Sequence, residues 1–488
     1  MLKPNFTLSK LKWMILLMEK ETIGAFPAKR FFVDMLTRDI ELQDAILDLL
    51  DNCLDGALRS VSKQTDNRDE ENVYEGFHAK INFDDNSFTI EDNCGGISGD
   101  LATEYAFRLG RPNDRKGEKI PTIGIYGIGM KRAMFKMGTA SEVLSKTKDE
   151  QFKVVISPEW ISDDNEWELE LERTEVNLKN PGVKITVTQL REDVSNIFTP
   201  ERGFEERLNI AIANHYSLII NKGFKVFVNN VEVKPNLTTL MIDENAFSEE
   251  NNGITPYFYR GESKGVSIKI AVGFYRDLVS EDEERSILSG KTTTEKAGWT
   301  VICNDRVVLH ADKTRLTGWG EASVPQYHTQ FIGIAGVVIF TSEDAEKLPI
   351  TTTKRGVDGN SDVYLATKDF MREGMKLFTD FTNRWKGNSE AKKKMFSDAP
   401  QSLPLNNKNV DSVVPDNKWS KVTRSIGGNA YKPKLPVPKQ SDPLKQIKFN
   451  RKASEIKMVS QFLFDDDSFA PTDVGNYCFE QFLERAKK

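Results

Sequence analysis

The chain is poor in cysteine and has no long apolar run, and both scarcities narrow its class. Four cysteines, at positions 53, 94, 303 and 478, are spread over 488 residues. They form neither a zinc-binding pattern nor a disulfide framework, so we expect a reducing compartment. The apolar run WMILLM near the start is too short for a signal peptide or a membrane span. We therefore expect a cytoplasmic protein that has no membrane partner.

Charge is distributed unevenly along the chain. The formal net charge is −6, but residues 386–452 contain 15 Lys and Arg against 5 Asp and Glu. The same stretch holds seven prolines and shows little periodicity, which is typical of a linker. Two interpretations of its positive charge stay open, a solvated tether and a segment that binds nucleic acid.

Hydrophobic periodicity predicts an α+β fold in two mixed regions. In the first region, two helices (29–38 and 42–61) precede strands near 79–92, 152–158 and 182–190. In the second region, strands near 224–233, 266–275, 298–309 and 334–342 precede a helix at 366–385. We predict five segments: an N-terminal extension (1–25), a first domain (26–195), a second domain (200–385), a basic Pro-rich linker (386–440) and a small C-terminal module (441–488).

The stretch DAILDLLDNCLDGA in the second helix combines an apolar face with a row of acids and amides. Apolar pairs recur every four residues from Ala45 to Leu58, which predicts that one face lies in a core. Asp44, Asp48 and Asn52 follow one another at i, i+4 spacing with no Lys or Arg among them, although like charges at this spacing repel. One interpretation is a solvated acidic face. The other is a face that binds a divalent cation or carries a general base, because Mg²⁺ prefers oxygen ligands.

Two glycine-containing stretches follow this helix. FTIEDNCGGIS is a strand that ends at Asp92, after which Gly95 and Gly96 permit a sharp turn. TIGIYGIGMKRAMFKMG places glycines before a helix with a basic side, and free amides at a helix start attract phosphate. The latter is neither a Walker A loop nor a dinucleotide fingerprint. An ordinary turn and ordinary packing remain alternative explanations for the two stretches.

Taken in order, the three stretches resemble the GHKL ATPase superfamily, which includes DNA gyrase B subunits, MutL, MORC proteins, the large heat-shock chaperone and sensor histidine kinases. The resemblance covers about residues 26–190 and implies a Bergerat α/β sandwich that binds ATP. GWTVICNDRVVLHAD followed by LPITTTKRGVD is similar to the second domain of MutL and gyrase, a ribosomal-S5-like transducer. In layout the chain most resembles MutL- and MORC-like proteins, including bacterial ATP-binding proteins of this type.

The resemblance implies a role for each residue at a motif position. Asn52 would hold Mg²⁺ between the phosphates, Asp92 would accept the adenine amino group, and Gly96 would leave room for the base. Asp48 would activate the attacking water, and Lys354 would contact the γ-phosphate. The other implied nucleotide contacts flank these motifs: Ile97, Gly124, Gly127, Ile128, Gly129, Met130 and Lys131.

The sequence departs from the family pattern at three positions. Asp48 stands where the family usually carries the longer Glu, which predicts slow hydrolysis because general-base catalysis depends on placement. Cys94 replaces a glycine, and Val183 replaces a threonine beside the adenine pocket, so adenine binding could be weaker. Compensating groups lie nearby in the sequence: Asp44 or Asp51 for the carboxylate, and Ser98, Thr186 or water for the pocket.

The family uses one pocket for several outputs, so the resemblance leaves alternatives. The main implication is an ATP-hydrolysing conformational clamp or switch in DNA transactions or phage defence. Such a clamp would dimerise on binding ATP and act with nucleic acid through the basic linker, or with a protein partner encoded nearby. The alternatives are a non-catalytic adenine-nucleotide sensor or scaffold and a chaperone-like ATPase. A histidine kinase is disfavoured because none of the four histidines precedes the helix that carries Asn52.

Overall fold

A computed structural model describes most of the chain: residues 28–62, 72–108, 128–243, 247, 253–278, 296–351, 355–386, 396, 401–438 and 445–487. The chain divides into two compact units, residues 1–437 and residues 438–488. Within the described ranges, no helix is long and apolar enough to cross a membrane. The N-terminal extension, Gly124, Gly127 and Lys354 lie outside the described residues.

The helices of the first unit include the two that the periodicity predicts near its start. Their bounds are α1 (Lys29–Arg38), α2 (Leu42–Ser62), α3 (Gly99–Leu101), α4 (Gly129–Met137), α5 (Pro158–Ser162), α6 (Glu192–Phe198), α7 (Phe204–His215), α8 (Ser217–Asn221), α9 (Asp362–Arg384) and α10 (Asn407–Ser412). The apolar pairs of α2 are all buried, so its predicted core face is confirmed. Asp48, Asp51 and Asp55 are also buried, so the interpretation of a solvated acidic face is wrong.

Eight strands form the first sheet. They are β1 (His78–Phe83), β2 (Ser87–Asp92), β3 (Gly138–Lys146), β4 (Gln151–Ile156), β5 (Leu171–Glu172), β6 (Gly182–Leu190), β7 (Lys225–Val228) and β8 (Val231–Glu232). Their spatial order is β5-β4-β3-β6-β2-β1-β7-β8. Within β2, Phe88, Ile90 and Asp92 are buried at every second position, so Asp92 lies on the same face as the core residues. The strand pattern therefore places one carboxylate among apolar side chains.

The first domain extends beyond its predicted end at residue 195. Strand β7 pairs in parallel with β1, and β8 then pairs with β7, so residues up to Glu232 belong to the first sheet. The sequence concealed this because β7 reaches its partner only after two intervening helices. A parallel pair requires such a crossover connection.

A second, seven-stranded sheet follows in the same unit. The remaining strands are β9 (Thr239–Ile242), β10 (Tyr257–Ser263), β11 (Val266–Phe274), β12 (Gly298–Cys303), β13 (Arg306–Asp312), β14 (Ile334–Thr341), β15 (Gln401–Pro404), β16 (Ser420–Val422) and β17 (Gly428–Tyr431). The second sheet runs β13-β12-β14-β11-β10-β17-β16, and β15 pairs with β9. Helix α9 packs on β10, β11 and β14. Together with the first sheet, this confirms the predicted α+β class, while the ribosomal-S5-like identity of this region stays a prediction.

Much of the predicted linker is folded. Strand β17 pairs with β10 and with β16, so residues 420–431 extend the second sheet. Leu405, Val410 and Val414 are buried in a core that they share with the sheet. The prediction of a linker at 386–440 is therefore wrong for residues 401–437, because strands of three or four residues are too short to show a periodic pattern.

The second unit is a pair of helices, α11 (Ala453–Phe464) and α12 (Pro471–Ala486). Phe464 stacks on Phe469 and meets Tyr477 edge to face, which closes the connection between the helices. The unit corresponds closely to the predicted C-terminal module.

Candidate functional site

Asp48 lies on α2 against the start of α4. Its Oδ2 accepts a hydrogen bond from Arg132 Nη2 at 2.6 Å, and its side chain is 6% exposed. A Cβ added at Gly129 would lie 3.5 Å from the same Oδ2, so the backbone of α4 approaches the carboxylate closely. The structure thus brings together the acidic helix and the end of the glycine-rich stretch, as the sequence predicts.

The first turn of α4 presents amides beside this carboxylate. The helix begins at Gly129, and its N-cap residue Ile128 makes no side-chain capping bond. The first amides of a helix have no intrahelical acceptor and carry partial positive charge. Ile128, Gly129 and Met130, the predicted phosphate contacts, therefore lie where an anion is favoured, and Met130 itself is buried.

Asn52 lies one turn beyond Asp48 on α2. It is half-buried, and its side-chain amide makes no hydrogen bond with any residue in the described ranges. An amide oxygen is a suitable ligand for Mg²⁺. No group of three His, Cys, Asp or Glu side chains in the described part of the chain is arranged to hold a metal ion. A metal ion at Asn52 would therefore depend on phosphate oxygens and water for its other ligands.

Asp92 is a buried carboxylate at the end of β2. Its Oδ1 accepts hydrogen bonds from the backbone N–H groups of Cys94 at 2.7 Å and Val183 at 3.4 Å. Burial raises the pKa of Asp92 to about 6, and the hydrogen bond from Cys94 opposes that rise. Both backbone bonds fall on one oxygen, so the other oxygen is suited to accept a hydrogen bond from a ligand.

The glycines after Asp92 are required by close backbone packing. Gly95 and Gly96 have φ of +101° and +77°, which side-chain-bearing residues rarely adopt. A Cβ at Gly96 would lie 2.1 Å from the carbonyl oxygen of Lys146, at the end of β3. The structure therefore gives Gly96 a packing role, which is different from the predicted role of leaving room for a base. The next residue, Ile97, is fixed by the Ser145 hydroxyl, which accepts from its N–H at 2.8 Å and donates to its carbonyl at 2.9 Å.

The turn also packs directly on α2. A Cβ at Gly56 would lie 2.9 Å from the carbonyl oxygen of Cys94, so the missing side chain lets helix and turn meet. Ser60 donates to the same carbonyl at 3.3 Å. The helix that carries Asp48 and Asn52 thus also supports the turn that follows Asp92.

Lys131 is used inside the protein. It is buried, and its ammonium group donates to the carbonyl oxygens of Ala106, at 2.8 Å, and Arg108. Burial lowers the pKa of Lys131 to about 8. This environment does not support the predicted phosphate contact for Lys131. The neighbouring Arg132 is the site residue that sequence reasoning did not select, although it lies on the basic side of the same helix.

Two arginines from the second region bind α2. Arg306, on β13, donates from Nε to Asp51 Oδ1 at 2.9 Å, and both side chains are 1% exposed. The hydroxyl of Tyr216 donates to the same oxygen at 2.7 Å. Arg355 binds the carboxylate of Asp44 and donates to its carbonyl oxygen at 2.8 Å. Asp44 and Asp51, which could have assisted Asp48, are therefore both engaged by arginine.

One comparison with known proteins covers this part of the chain. Residues 40–192 match the family model described as histidine kinase-, DNA gyrase B-, and HSP90-like ATPase. The match spans α2, the turn after Asp92 and α4, which are the elements that build the site. A search of curated proteins gives no match for the chain.

Proposed function

Because residues 40–192 form a GHKL-type ATPase domain, we propose that this chain hydrolyses ATP and uses the reaction to change how its two regions interact. The observation that carries the proposal is the double role of α2. One side of this helix contributes Asp48 beside the amides of α4, and arginines from the second region bind Asp44 and Asp51 on the same helix. A change at the nucleotide would therefore be felt where the two regions meet.

The residues of the site divide into those that select adenine and those that face the phosphates. Asp92 accepts the adenine amino group through its second oxygen, and guanine is rejected because its carbonyl oxygen would face a carboxylate. The amides of Ile128, Gly129 and Met130 donate to phosphate oxygens. Asn52 holds Mg²⁺, which neutralises phosphate charge when it is bound.

Hydrolysis requires one proton transfer and one displacement. Asp48 takes a proton from water as the water oxygen bonds to the γ-phosphorus, and the bond from that phosphorus to the β–γ bridging oxygen breaks. ADP and phosphate are the products. Lys354, the neighbour of Arg355, would stabilise the charge that develops on the γ-phosphate. In this scheme the ion pair between Arg355 and Asp44 holds the Lys354 segment next to α2.

The reaction is tested by phosphate release from Mg²⁺·ATP. We expect Asp48→Asn to bind ATP but to release phosphate at least about a hundredfold more slowly than the unmodified chain, since it lacks the base. Asn52→Ala should weaken binding only when Mg²⁺ is present. Asp85→Asn is a matched control, because Asp85 is an exposed carboxylate in the turn between β1 and β2. Equal phosphate release by all of these proteins would refute the catalytic proposal.

A nucleotide sensor or scaffold that does not hydrolyse ATP is the second candidate. The pairing of Asp48 with Arg132 favours it, because a carboxylate bound to a guanidinium is less available to a water molecule. The same assay distinguishes the candidates. A sensor would retain ATP binding and show no phosphate release even in the unmodified chain.

For the cellular role we propose a clamp of the MutL and MORC type, in DNA transactions or phage defence, that dimerises on binding ATP. The excess of basic residues over 386–452 supports contact with nucleic acid. Such contact should weaken steeply with added salt. Replacing Lys418, Lys421 and Arg424 by Gln, in the folded and exposed part of this segment, should then weaken DNA binding, and unchanged binding would argue against it.

A further inference from the structure

The C-terminal unit exposes an unusual amount of apolar surface for its size. Among its described residues only Ser460 and Val474 are buried. Phe462, Met458 and Phe482 are 85%, 73% and 69% exposed. Helices of 12 and 16 residues are only marginally stable alone, and units this small normally need a further source of stability. The helical pair is therefore incomplete without a partner surface.

The exposed apolar side chains form one stripe on each helix. On α11 they are Met458, Val459 and Phe462, and on α12 they are Phe479, Phe482 and Leu483. The spacing of three and four residues puts each set on a single face. Phe469 and Tyr477 extend the apolar surface near the connection.

We propose that these two stripes form a dimer interface with the same unit of a second copy of the chain, which gives a four-helix bundle. At about 200 Å² for a large side chain, the exposed fractions of the eight residues amount to about 900 Å². A stable interface buries about 800 Å² on each partner. The apolar surface of one unit is thus sufficient for one self-complementary contact, with two further helices completing the core.

Charge fixes the orientation of the two copies. Before α11 lies a basic arm, residues 445–452, with four Lys or Arg and no acid. Between the helices lies an acidic tip, Asp465, Asp466 and Asp467. Helix α11 joins them, so about 18 Å separates the two ends at 1.5 Å per residue. A twofold axis across the bundle places the basic arm of one copy on the acidic tip of the other, which makes the copies antiparallel.

The acidic tip also argues against the other occupants of this surface. Nucleic acid and anionic lipid both favour a uniformly basic surface and would be repelled by three adjacent carboxylates. A second copy satisfies both charged ends at once. This dimer differs from the one proposed to form on ATP binding, because it requires no nucleotide.

The test is the molar mass of the full chain without nucleotide, by sedimentation equilibrium. We expect twice the chain mass of 55.3 kDa. Phe462→Asp combined with Phe482→Asp should raise the dimer dissociation constant at least about tenfold. Ile210→Asp is the matched control, since Ile210 is an exposed apolar residue on α7, and it should leave the mass unchanged. Retained ATP binding by the first unit shows that the variant chain is folded.

Charge reversal tests the orientation without altering the apolar surface. Asp465→Lys with Asp466→Lys, and Lys448→Glu with Arg451→Glu, should each weaken the dimer, and the four changes together should restore it. An unmodified chain that is monomeric overturns the proposal, whether the stripes cover another part of the same chain or bind a different protein. A dimer that withstands the Phe462 and Phe482 changes overturns it too. Charge reversals that strengthen the dimer singly overturn the antiparallel arrangement.

Discussion

Asp48 Oδ2 and Arg132 Nη2 lie 2.6 Å apart, in an ion pair between the acidic helix and the helix that follows the glycine-rich stretch. This pair joins two sequence motifs that are 84 residues apart. It also gives the missing methylene at Asp48 a structural consequence, because the shorter carboxylate is held against α4. The position of this carboxylate decides whether a water molecule can be activated.

Restoring that methylene should increase turnover. Gly129 has no side chain on the side that faces Asp48, so the backbone there leaves space for the longer Glu. We expect Asp48→Glu to raise kcat about tenfold with little change in KM, because general-base catalysis depends on reach. Steady-state phosphate release checks this. A kcat equal to or below that of the unmodified chain would contradict the explanation for slow hydrolysis.

Adenine binding should depend on the ionisation of Asp92. With burial raising its pKa to about 6, Asp92 is ionised at pH 7 and is mostly protonated at pH 5. Since the proposed contact needs an ionised acceptor, affinity for ATP should fall as the pH drops through 6, by about tenfold at pH 5. Calorimetric titration between pH 5 and pH 8 measures this.

The Asp92→Asn variant provides the control for that titration. It should bind ATP weakly at every pH and should lose the pH dependence. If the variant bound ATP as tightly as the unmodified chain, the assignment of the adenine site would be wrong.

The buried pair between Asp51 and Arg306 should contribute to stability far more than an exposed pair. Arg306→Met leaves a buried carboxylate without its cation, which costs about 3–5 kcal/mol in the free energy of unfolding. Adding Asp51→Asn should recover part of this loss. Lys264→Met breaks the exposed pair with Asp362 and should cost less than about 1 kcal/mol. Urea denaturation measures all four proteins, and equal losses for Arg306→Met and Lys264→Met would contradict this account.

Close packing at Gly96 should make that position intolerant of a side chain. Gly96→Ala combines a positive φ with a Cβ that would lie 2.1 Å from a carbonyl oxygen, so we expect more than about 3 kcal/mol of destabilisation. Gly76→Ala is the control, because Gly76 has φ of +90° and nothing within 4 Å of its Cβ. It should cost only about 1 kcal/mol, from backbone strain. Similar losses at both positions would show that packing on Lys146 is unimportant.

Local patterns in the sequence predicted the elements of the site but not the surroundings of their polar residues. The four-residue repeat correctly placed α2, and the alternation in β2 ended at Asp92. The burial of Asp51 was not predictable, because its partners Tyr216 and Arg306 lie 165 and 255 residues away. For the same reason Lys131 resembled a phosphate ligand until the carbonyl groups of Ala106 and Arg108 were found beside it. Periodicity reports which face is buried, and only the tertiary fold decides what a buried charge meets.

The most direct test of the central claim compares Asp48→Asn with the unmodified chain in Mg²⁺·ATP, measuring phosphate release and ATP binding in the same preparation. The account predicts that the variant binds ATP with similar affinity and releases phosphate at least about a hundredfold more slowly. Phosphate release that is unchanged by the substitution would contradict the assignment of Asp48 as the base.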